Sequence, residues 1–361
     1  MGDGRGLGAV VVGSGFGGRI HVPALRAAGF EVVALVGTQA ERTARRAERL
    51  GVAGLTDLEV ALALPGVQLV SVATPPATHA EVVVAALRAG HHVICEKPFA
   101  TSVAEARHMV QACTEAGRLG LVGHEFRFLP ERALLKRLVA DGAVGQPRMA
   151  TFVSVSDLVA DPAARVPGWW FDPASGGGWL GASGSHLVDQ LLWTLGPARW
   201  VSAGLCVVSD RPPGSAEDSF SLLVGLEGGG LATLTQSAAT FGPGASLARV
   251  AGPKGSLRLE HDRLWLDGPQ GGRAVAVPPE LSLPAAPPPS ADPRHRFSHL
   301  ELGPWVRLAE VMRHAILGQG LPAWPAPADF SDGLACTQVL EAARRSAAAG
   351  GERVELGSGP A

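Results

Sequence analysis

The chain has 361 residues, 46% of them hydrophobic, which is enough to bury two cores rather than one. Charged residues make up 18% and the formal net charge is -2, so nothing electrostatic points to nucleic acid or an acidic membrane as partner. There is no tyrosine, which excludes every mechanism that needs a tyrosine as proton donor.

The first third alternates short apolar runs with helical patterns. GAVVVG (8–13) reads as a buried strand, followed by a glycine turn and a helix from Gly18 to Ala28. EVVALVG (31–37) is a second strand, and AERTARRAERLG (40–51) a helix closed by Gly51. VQLVSVATPP (67–76) is a strand ended by two prolines, HAEVVVAALRAG (79–90) a helix, and HHVICEKP (91–98) another strand. Ser102 with Glu105 three residues later opens a helix over 102–117, and RLGLVGHEFRF (118–128) follows as a strand. This alternation predicts βαβ units, hence an α/β fold with an N-terminal Rossmann-type doubly wound parallel sheet over residues 1–127.

Beyond Phe128 the pattern changes. A helix over 130–142 leads into longer, partly alternating strands separated by hairpin-like turns such as Glu227-Gly228-Gly229-Gly230 and Gly252-Pro253-Lys254-Gly255. Residues 128–361 are expected to form an α+β domain with a large open, mostly antiparallel sheet. The proline-rich stretch 277–294 reads as a loop, and helices near 298–317 and 329–349 close the chain. The cysteines, Cys95, Cys113, Cys206 and Cys336, fall singly, no run reaches the ~18 apolar residues of a membrane span, and the N-terminus lacks a signal-peptide core; a cytoplasmic location is expected.

Gly13-Ser14-Gly15-Phe16-Gly17-Gly18 carries G-x-G-x-x-G between the first strand and the first helix. Gly13 would allow the tight turn, Gly15 would let the backbone approach a pyrophosphate, and Gly18 would let helix and strand pack closely. At the end of the second strand, where NAD-binding folds place an acid, stands Gly37, followed by Thr38, with Arg42, Arg45 and Arg46 on the next helix. Loss of the acid removes repulsion to a 2′-phosphate, and an arginine could pair with one, so the pattern favours NADP over NAD.

ATPPATH, with Thr74, Pro75 and His79, and CEKP, with Glu96 and Lys97, end two parallel strands at the sheet edge where such folds bind ligands. Pro98 disfavours helical geometry at Lys97. A lysine there could hydrogen-bond a substrate hydroxyl, stabilise a developing oxyanion and take part in proton transfer. Downstream, GGGWLGASGSHLVD (176–189) puts His186 and Asp189 three apart on one face of a helix starting near Gly184, with glycines that would let the helix start approach a ligand. His186 is the candidate partner of Lys97 in proton exchange. No Cys/His spacing suggests a metal site.

With these blocks in place the chain resembles the Gfo/Idh/MocA family of NAD(P)-dependent oxidoreductases, through Gly13–Gly18, ATPPATHAE (73–81), CEKPFATSVAEA (95–106), HEFRFLP (124–130) and GGGWLGASGSHLVD (176–189). The resemblance implies a Rossmann domain followed by a domain whose open sheet often serves oligomerisation, so a homo-oligomer is expected. It implies that Glu96 and Lys97 approach the nicotinamide ribose and substrate, that His186 is the catalytic histidine, and that substrates are sugars, cyclitols or related polyols. Family polyol dehydrogenases commonly carry an aspartate four residues before that histidine; here the position is Ala182. His124 and Glu125 of HEFRF, where many members have less ionisable residues, are candidates to supply the missing polar function. His124, Glu125, Arg127, Trp170 and Asp189 are the candidate substrate contacts; Trp169, Trp170 and Trp179 suit sugar rings and equally well serve as core. Two other readings remain in the family: a non-catalytic cofactor-sensing regulator, which Ala182 would permit, and a glycosidase that uses bound NAD transiently.

Overall fold

The computed structural model describes residues 6–357 except 165, 291, 293, 294, 296 and 323. In chain order the first elements are β1 (Leu7–Val12), α1 (Val22–Ala27), β2 (Phe30–Val36), α2 (Ala40–Leu50), β3 (Ala53–Leu55), α3 (Leu58–Leu62), β4 (Val67–Val72), α4 (His79–Arg88), β5 (His92–Cys95), α5 (Val103–Ala116) and β6 (Gly120–Val122). Then come α6 (Pro130–Ala140), β7 (Met149–Val155), α7 (Ser185–Leu195), β8 (Ala198–Cys206), β9 (Ser219–Leu226), β10 (Leu231–Ser237), β11 (Ala245–Gly252), β12 (Gly255–Glu260), β13 (Arg263–Gly268) and β14 (Gly271–Val275). The chain ends with α8 (Ser298–Ile316), α9 (Phe330–Ala348) and β15 (Val354–Glu355).

These elements form two compact units, one of residues 1–129 and 283–334, the other of 130–282 and 335–361. In the first, six parallel strands are ordered β3-β2-β1-β4-β5-β6, so the order reverses between β1 and β4. Alternation along the strands sends Val10, Val12, Val70 and Val72 to one face and Ala9, Val11, Leu35 and Leu69 to the other. The first face is covered by Val83, Leu87 and Met109 of α4 and α5, the second by Leu25 of α1 and by Trp305, Leu308 and Met312 of α8. Both faces of a parallel sheet need such cover, which is why its strands read as continuous apolar runs. Ser102 Oγ accepts the Glu105 N–H at 3.2 Å, as its spacing predicts, while Glu105 Oε2 reaches back to the Thr101 N–H at 3.0 Å. Gly51 and Gly117, at φ +61°, end α2 and α5.

The second unit is built on nine strands ordered β14-β13-β12-β11-β7-β10-β9-β8-β15. All pairs are antiparallel except β7 with β10, so the sheet is mixed and largely antiparallel. α6 and α7 pack on each other. The α/β class with a parallel doubly wound sheet and a second, mostly antiparallel one is as the sequence predicts. Of the proline-rich segment 277–294, read as loop, residues 291, 293 and 294 lie outside the described residues; the rest holds one tight turn, Pro279–Leu281. Among the described residues no helix is long and apolar enough to cross a membrane, and no group of three His, Cys, Asp or Glu side chains could hold a metal ion.

Candidate active site

The glycine turn leaves β1 at the point where the strand order reverses, the place where open α/β sheets take ligands. Gly13 has φ +113°, and a Cβ there would lie 2.3 Å from the Ala73 carbonyl oxygen, so only glycine fits. A Cβ on Gly15 would meet nothing within 4 Å, leaving that backbone open to a ligand. The close helix-to-strand packing expected of Gly18 belongs instead to Gly17. A Cβ on Gly17 would sit 2.7 Å from Val11 Cγ1 and 3.1 Å from Ala73 Cβ, whereas one on Gly18 would make only ordinary contacts with Leu50 and Leu35. The reason is local: the helix begins with a wide π-type turn over Gly17–His21 before α1, one residue earlier than the motif suggests.

That turn also delivers His21 into the interior, where it is fully buried. Its ring stacks on Trp305 with centroids 3.8 Å apart. Nδ1 lies 2.8 Å from Ser71 Oγ at the end of β4, and Nε2 lies 3.3 Å from Glu96 Oε1. Burial lowers the His21 pKa against the opposing pull of Glu96, which keeps the ring neutral. A carboxylate can only accept, so Nε2 carries the proton and Ser71 donates to Nδ1.

Glu96 is therefore a carboxylate with defined partners. Its Oε1 accepts from His21 and, at 3.2 Å, from the Trp305 indole N–H; its Oε2 accepts the backbone N–H of Lys97 at 3.1 Å. Burial alone would raise its pKa, but the His21 hydrogen bond, with the Lys97 charge and amide, outweighs burial and holds Glu96 below the ordinary carboxylate value. Glu96 acts on the backbone beneath Lys97, and its side chain is spent on protein groups. The Lys97–Pro98 peptide is cis and Lys97 is half-buried. His79, expected against the cofactor, is fully buried instead. Its Nδ1 faces the carbonyls of Pro98 and Phe99 at 3.1 and 3.3 Å and its Nε2 faces that of Thr74 at 2.9 Å, so it clamps the loop after β5 to the loop after β4.

The block HEFRF lies beyond β6, which stops at Val122, and forms a tight turn over Glu125–Phe128 rather than a strand continuing to Phe128. His124, Glu125 and Arg127 are all buried. Arg127, expected to meet substrate, directs Nη1 to Asp332 Oδ2 at 3.1 Å and the Pro327 carbonyl at 3.3 Å, tying the turn to the segment before α9. Burial, then the Glu96 charge, raises the Glu125 carboxyl well above the ordinary value against the pull of Lys97. A further carboxyl, Glu301 of α8, is raised to about 7, first by burial, with the Lys97 charge opposing.

At the end of β2, Gly37 is held by packing: a Cβ there would lie 2.4 Å from Thr43 Oγ1 and 3.1 Å from Ser14 Oγ. Of Arg42, Arg45 and Arg46 on α2, Arg46 reaches the glycine turn, donating from Nη1 to the Ser14 carbonyl at 2.9 Å and to Ser14 Oγ at 3.1 Å. Arg45 pairs with Glu41 on the surface at 3.7 Å, and Thr38 and Arg42 are exposed.

In the second unit His186 and Asp189 lie buried on the first turns of α7. The helix begins earlier than Gly184, with a π-type turn over Leu180–Gly184 that contains the buried Ala182. The glycines around it do not open space for a ligand. A Cβ would lie 2.1 Å from the Trp169 carbonyl oxygen at Gly177, 2.1 Å from Glu217 Oε1 at Gly178 and 2.7 Å from Phe220 Cζ at Gly184. They serve close packing of the segment that carries His186. Gln236 Nε2 fixes the same segment through Ser183 Oγ at 2.7 Å, and Glu217 Oε1 accepts the Leu180 N–H at 3.2 Å. Trp170 packs edge-on against both Trp169 and Trp179, at centroid distances of 6.3 and 5.2 Å, with Trp179 buried and Trp170 half-exposed.

His21, Ser71, Arg46, Glu301 and Trp305 were not among the residues the sequence singled out as site groups, apart from Arg46 as one of three arginines. No motif marks them; the Trp305–Glu96 contact joins positions 209 apart.

Residues 7–124 match a family described as an oxidoreductase family with an NAD-binding Rossmann fold, and residues 133–258 match the Gfo/Idh/MocA C-terminal domain. The chain is 30% identical over 288 residues to the D-apiose dehydrogenase of Paraburkholderia graminis, an alignment that covers 77% of this chain and 74% of that one. It is 31% identical over 364 residues to human glucose-fructose oxidoreductase domain-containing protein 2, covering 95% and 92% of the two chains. The crystal structure of an oxidoreductase domain protein from Kribbella flavida superposes with a TM-score of 0.80 at 30% identity, over 97% of this chain and 99% of that one.

Proposed function

Because this chain belongs to the Gfo/Idh/MocA family of NAD-binding oxidoreductases, we propose that it moves a hydride between a nicotinamide and a carbohydrate-like alcohol or carbonyl, a sugar, cyclitol or related polyol. The observation that carries this reading is the Glu96–Lys97 corner. A carboxylate with three N–H partners fixes the backbone of Lys97 at the carboxyl end of β5. Lys97 hydrogen-bonds the reacting oxygen, stabilises its negative charge and shares in its proton transfer. His186 is the second catalytic group, an assignment that rests on the family resemblance. A sugar reading is supported by the D-apiose dehydrogenase relative.

The residues fit a dinucleotide. The open backbone at Gly15 and the helix start at Gly17 would hold its pyrophosphate, with Ser14 beside them. Bound there, the cofactor supplies the hydride acceptor or donor. Between the two forms the reading favours NADP(H): there is no acid at position 37, and Arg46 stands on the glycine turn where it could meet a 2′-phosphate. A homo-oligomer through the nine-stranded sheet is part of the proposal. Leu223 and Leu231, on β9 and β10, are large apolar residues left exposed on the sheet. The test is a panel of sugars and polyols with NAD and NADP, read as reduced nicotinamide released into solution. Turnover of at least one carbohydrate-like substrate is expected; product formed without free NAD(P)H would contradict the reading.

A further inference from the structure

The face of the nine-stranded sheet turned towards α7 changes character along β11, β7 and β10. Strand register sets Val250, Ala150 and Ala232 side by side in one row and Ala248, Phe152 and Leu234 in the next, both apolar. The third row is Ser246, Ser154 and Gln236. Alternation along each strand keeps all three rows on one face. At its β10 end the polar row meets the turn that leads into α7 and His186, where Gln236 Nε2 donates to Ser183 Oγ at 2.7 Å. At its β11 end Ser246 lines a cavity of about 30 Å³ with Phe152, Leu187 and Gln190, so α7 does not close over the row completely.

Gln236 is 5% exposed, and its Oε1 has no hydrogen-bond partner among the described residues. A buried amide oxygen left without a donor is costly, and such a group calls for a partner from outside the chain. Turning the amide over would exchange its two ends and still leave one of them unpaired. The flanking Ser154 and Ser183 are half-buried, so the unpaired end lies beside the part of the row that a small molecule can reach.

From this arrangement, and resting on the carbohydrate dehydrogenase reading above, we propose that Gln236 binds one hydroxyl of the substrate and sets specificity at that position, with Ser183 fixing the amide and Ser154 beside it. A hydroxyl both donates and accepts, so it satisfies either end of the amide. The row carries no charged side chain, which suits a neutral sugar or polyol. An ionised carboxylate can only accept and would face Oε1 oxygen to oxygen. A site whose buried polar group is left unpaired when the hydroxyl is missing rejects the deoxy analogue far more strongly than an apolar pocket does. Gln236 therefore reads one position of the substrate rather than adding general affinity. Ser183 acts through Gln236 and is a positioning residue.

The test uses the full chain loaded with cofactor and two readouts. In protein carrying isotope-labelled glutamine, the side-chain amide signal of Gln236 is the one missing from Gln236→Met. It is followed by NMR as D-glucose, D-xylose and myo-inositol are added in turn. At least one of the three should move that signal, and one of its single-deoxy analogues should not. For a compound that is turned over, Gln236→Met should lower kcat/KM by about 10- to 100-fold with cofactor Kd unchanged, and should lose most of the preference for the parent over that deoxy analogue. Ser183→Ala, which leaves Gln236 in place, should lose part of the same preference. A Gln236 signal that none of the three moves overturns the proposal, as it would if a buried water were the partner. So does a Gln236→Met variant that loses the same factor on the parent and on every deoxy analogue, the behaviour of a merely structural residue. If a sugar moves the signal and no sugar or polyol is turned over, the binding site stands and the dehydrogenase reading fails.

Discussion

The indole N–H of Trp305 donates to Glu96 Oε1 at 3.2 Å, while the same oxygen lies 3.3 Å from His21 Nε2. A helix from late in the chain thereby supplies one of the donors that keep a buried carboxylate in place beside Lys97. Trp305→Phe retains an aromatic ring against His21 but removes the donor. A hydrogen bond to a charged, buried acceptor contributes about 1.5–3 kcal/mol, and the smaller ring leaves a void besides. Urea denaturation should show at least that loss, with cofactor affinity little changed; a stability equal to the unmutated chain would show that Glu96 does not depend on the indole.

Two buried histidines contribute to the response to acid. Burial lowers the pKa of both His21 and His79, so below about 6.5 the unfolded chain takes up protons that the folded chain refuses. Stability from these groups is complete above that pH and is lost as pH falls towards the folded values, by up to about 1.4 kcal/mol per pH unit for each histidine. Glu301, raised to about 7, has the opposite sign between its unfolded value of 4.5 and 7, because there the folded chain holds the proton. The clean reading is a difference. His79→Gln should lose stability at neutral pH and show a shallower fall from pH 6.5 downwards than the unmutated chain. Parallel stability–pH curves for the two would contradict a neutral, buried His79.

Gly17 and Gly18 separate the two possible packing glycines of the turn. Gly17→Ala drives a methyl to 2.7 Å from Val11 Cγ1 and should destabilise by about 1–3 kcal/mol. Gly18→Ala meets Leu50 and Leu35 at ordinary distances and should be neutral or stabilising by up to about 1 kcal/mol. Equal costs at the two positions in urea denaturation would mean the helix starts where the motif alone suggests.

Cofactor choice is testable at Arg46 and Gly37. Arg46→Gln should weaken NADP(H) by about tenfold or more while changing NAD(H) little, because only the former carries a 2′-phosphate for the guanidinium. Gly37→Asp alone is a poor probe, since its Cβ would overlap Thr43 Oγ1; Gly37→Asp with Thr43→Ala relieves that contact and should favour NAD(H). Equilibrium titration of both cofactors decides, and a strong NAD(H) preference in the unmutated chain would contradict the NADP(H) reading.

Much of the fold was legible because its signals are local. The run VVV before Gly13, the Ser102–Glu105 cap and the glycine stops at Gly51 and Gly117 each report on neighbours a few residues away. β3 (Ala53–Leu55) and β15 (Val354–Glu355) escaped because three and two residues carry no periodicity. The return of residues 283–334 to the first unit was not legible either: α8 is amphipathic, but nothing in its sequence says which surface its apolar face covers. The site followed the same division. Lys97 and Glu96 stood out through their motif, whereas His21, Ser71 and Trp305 gain meaning only when three distant segments meet at one carboxylate. The glycines before His186 misled for a related reason. Glycine admits a ligand or a neighbouring backbone equally well, and here the neighbours are Trp169, Glu217 and Phe220.

In the proposed reaction Lys97 works on the reacting oxygen while the glycine turn holds the cofactor. The most direct measurement is kcat and cofactor Kd for Lys97→Met on a substrate identified from the sugar and polyol panel. A loss of about 10²–10⁴-fold in kcat is expected with cofactor Kd within about twofold of the unmutated chain, since the amides around Gly15 are untouched. Normal turnover in Lys97→Met, or a loss explained wholly by weakened cofactor binding, would contradict it.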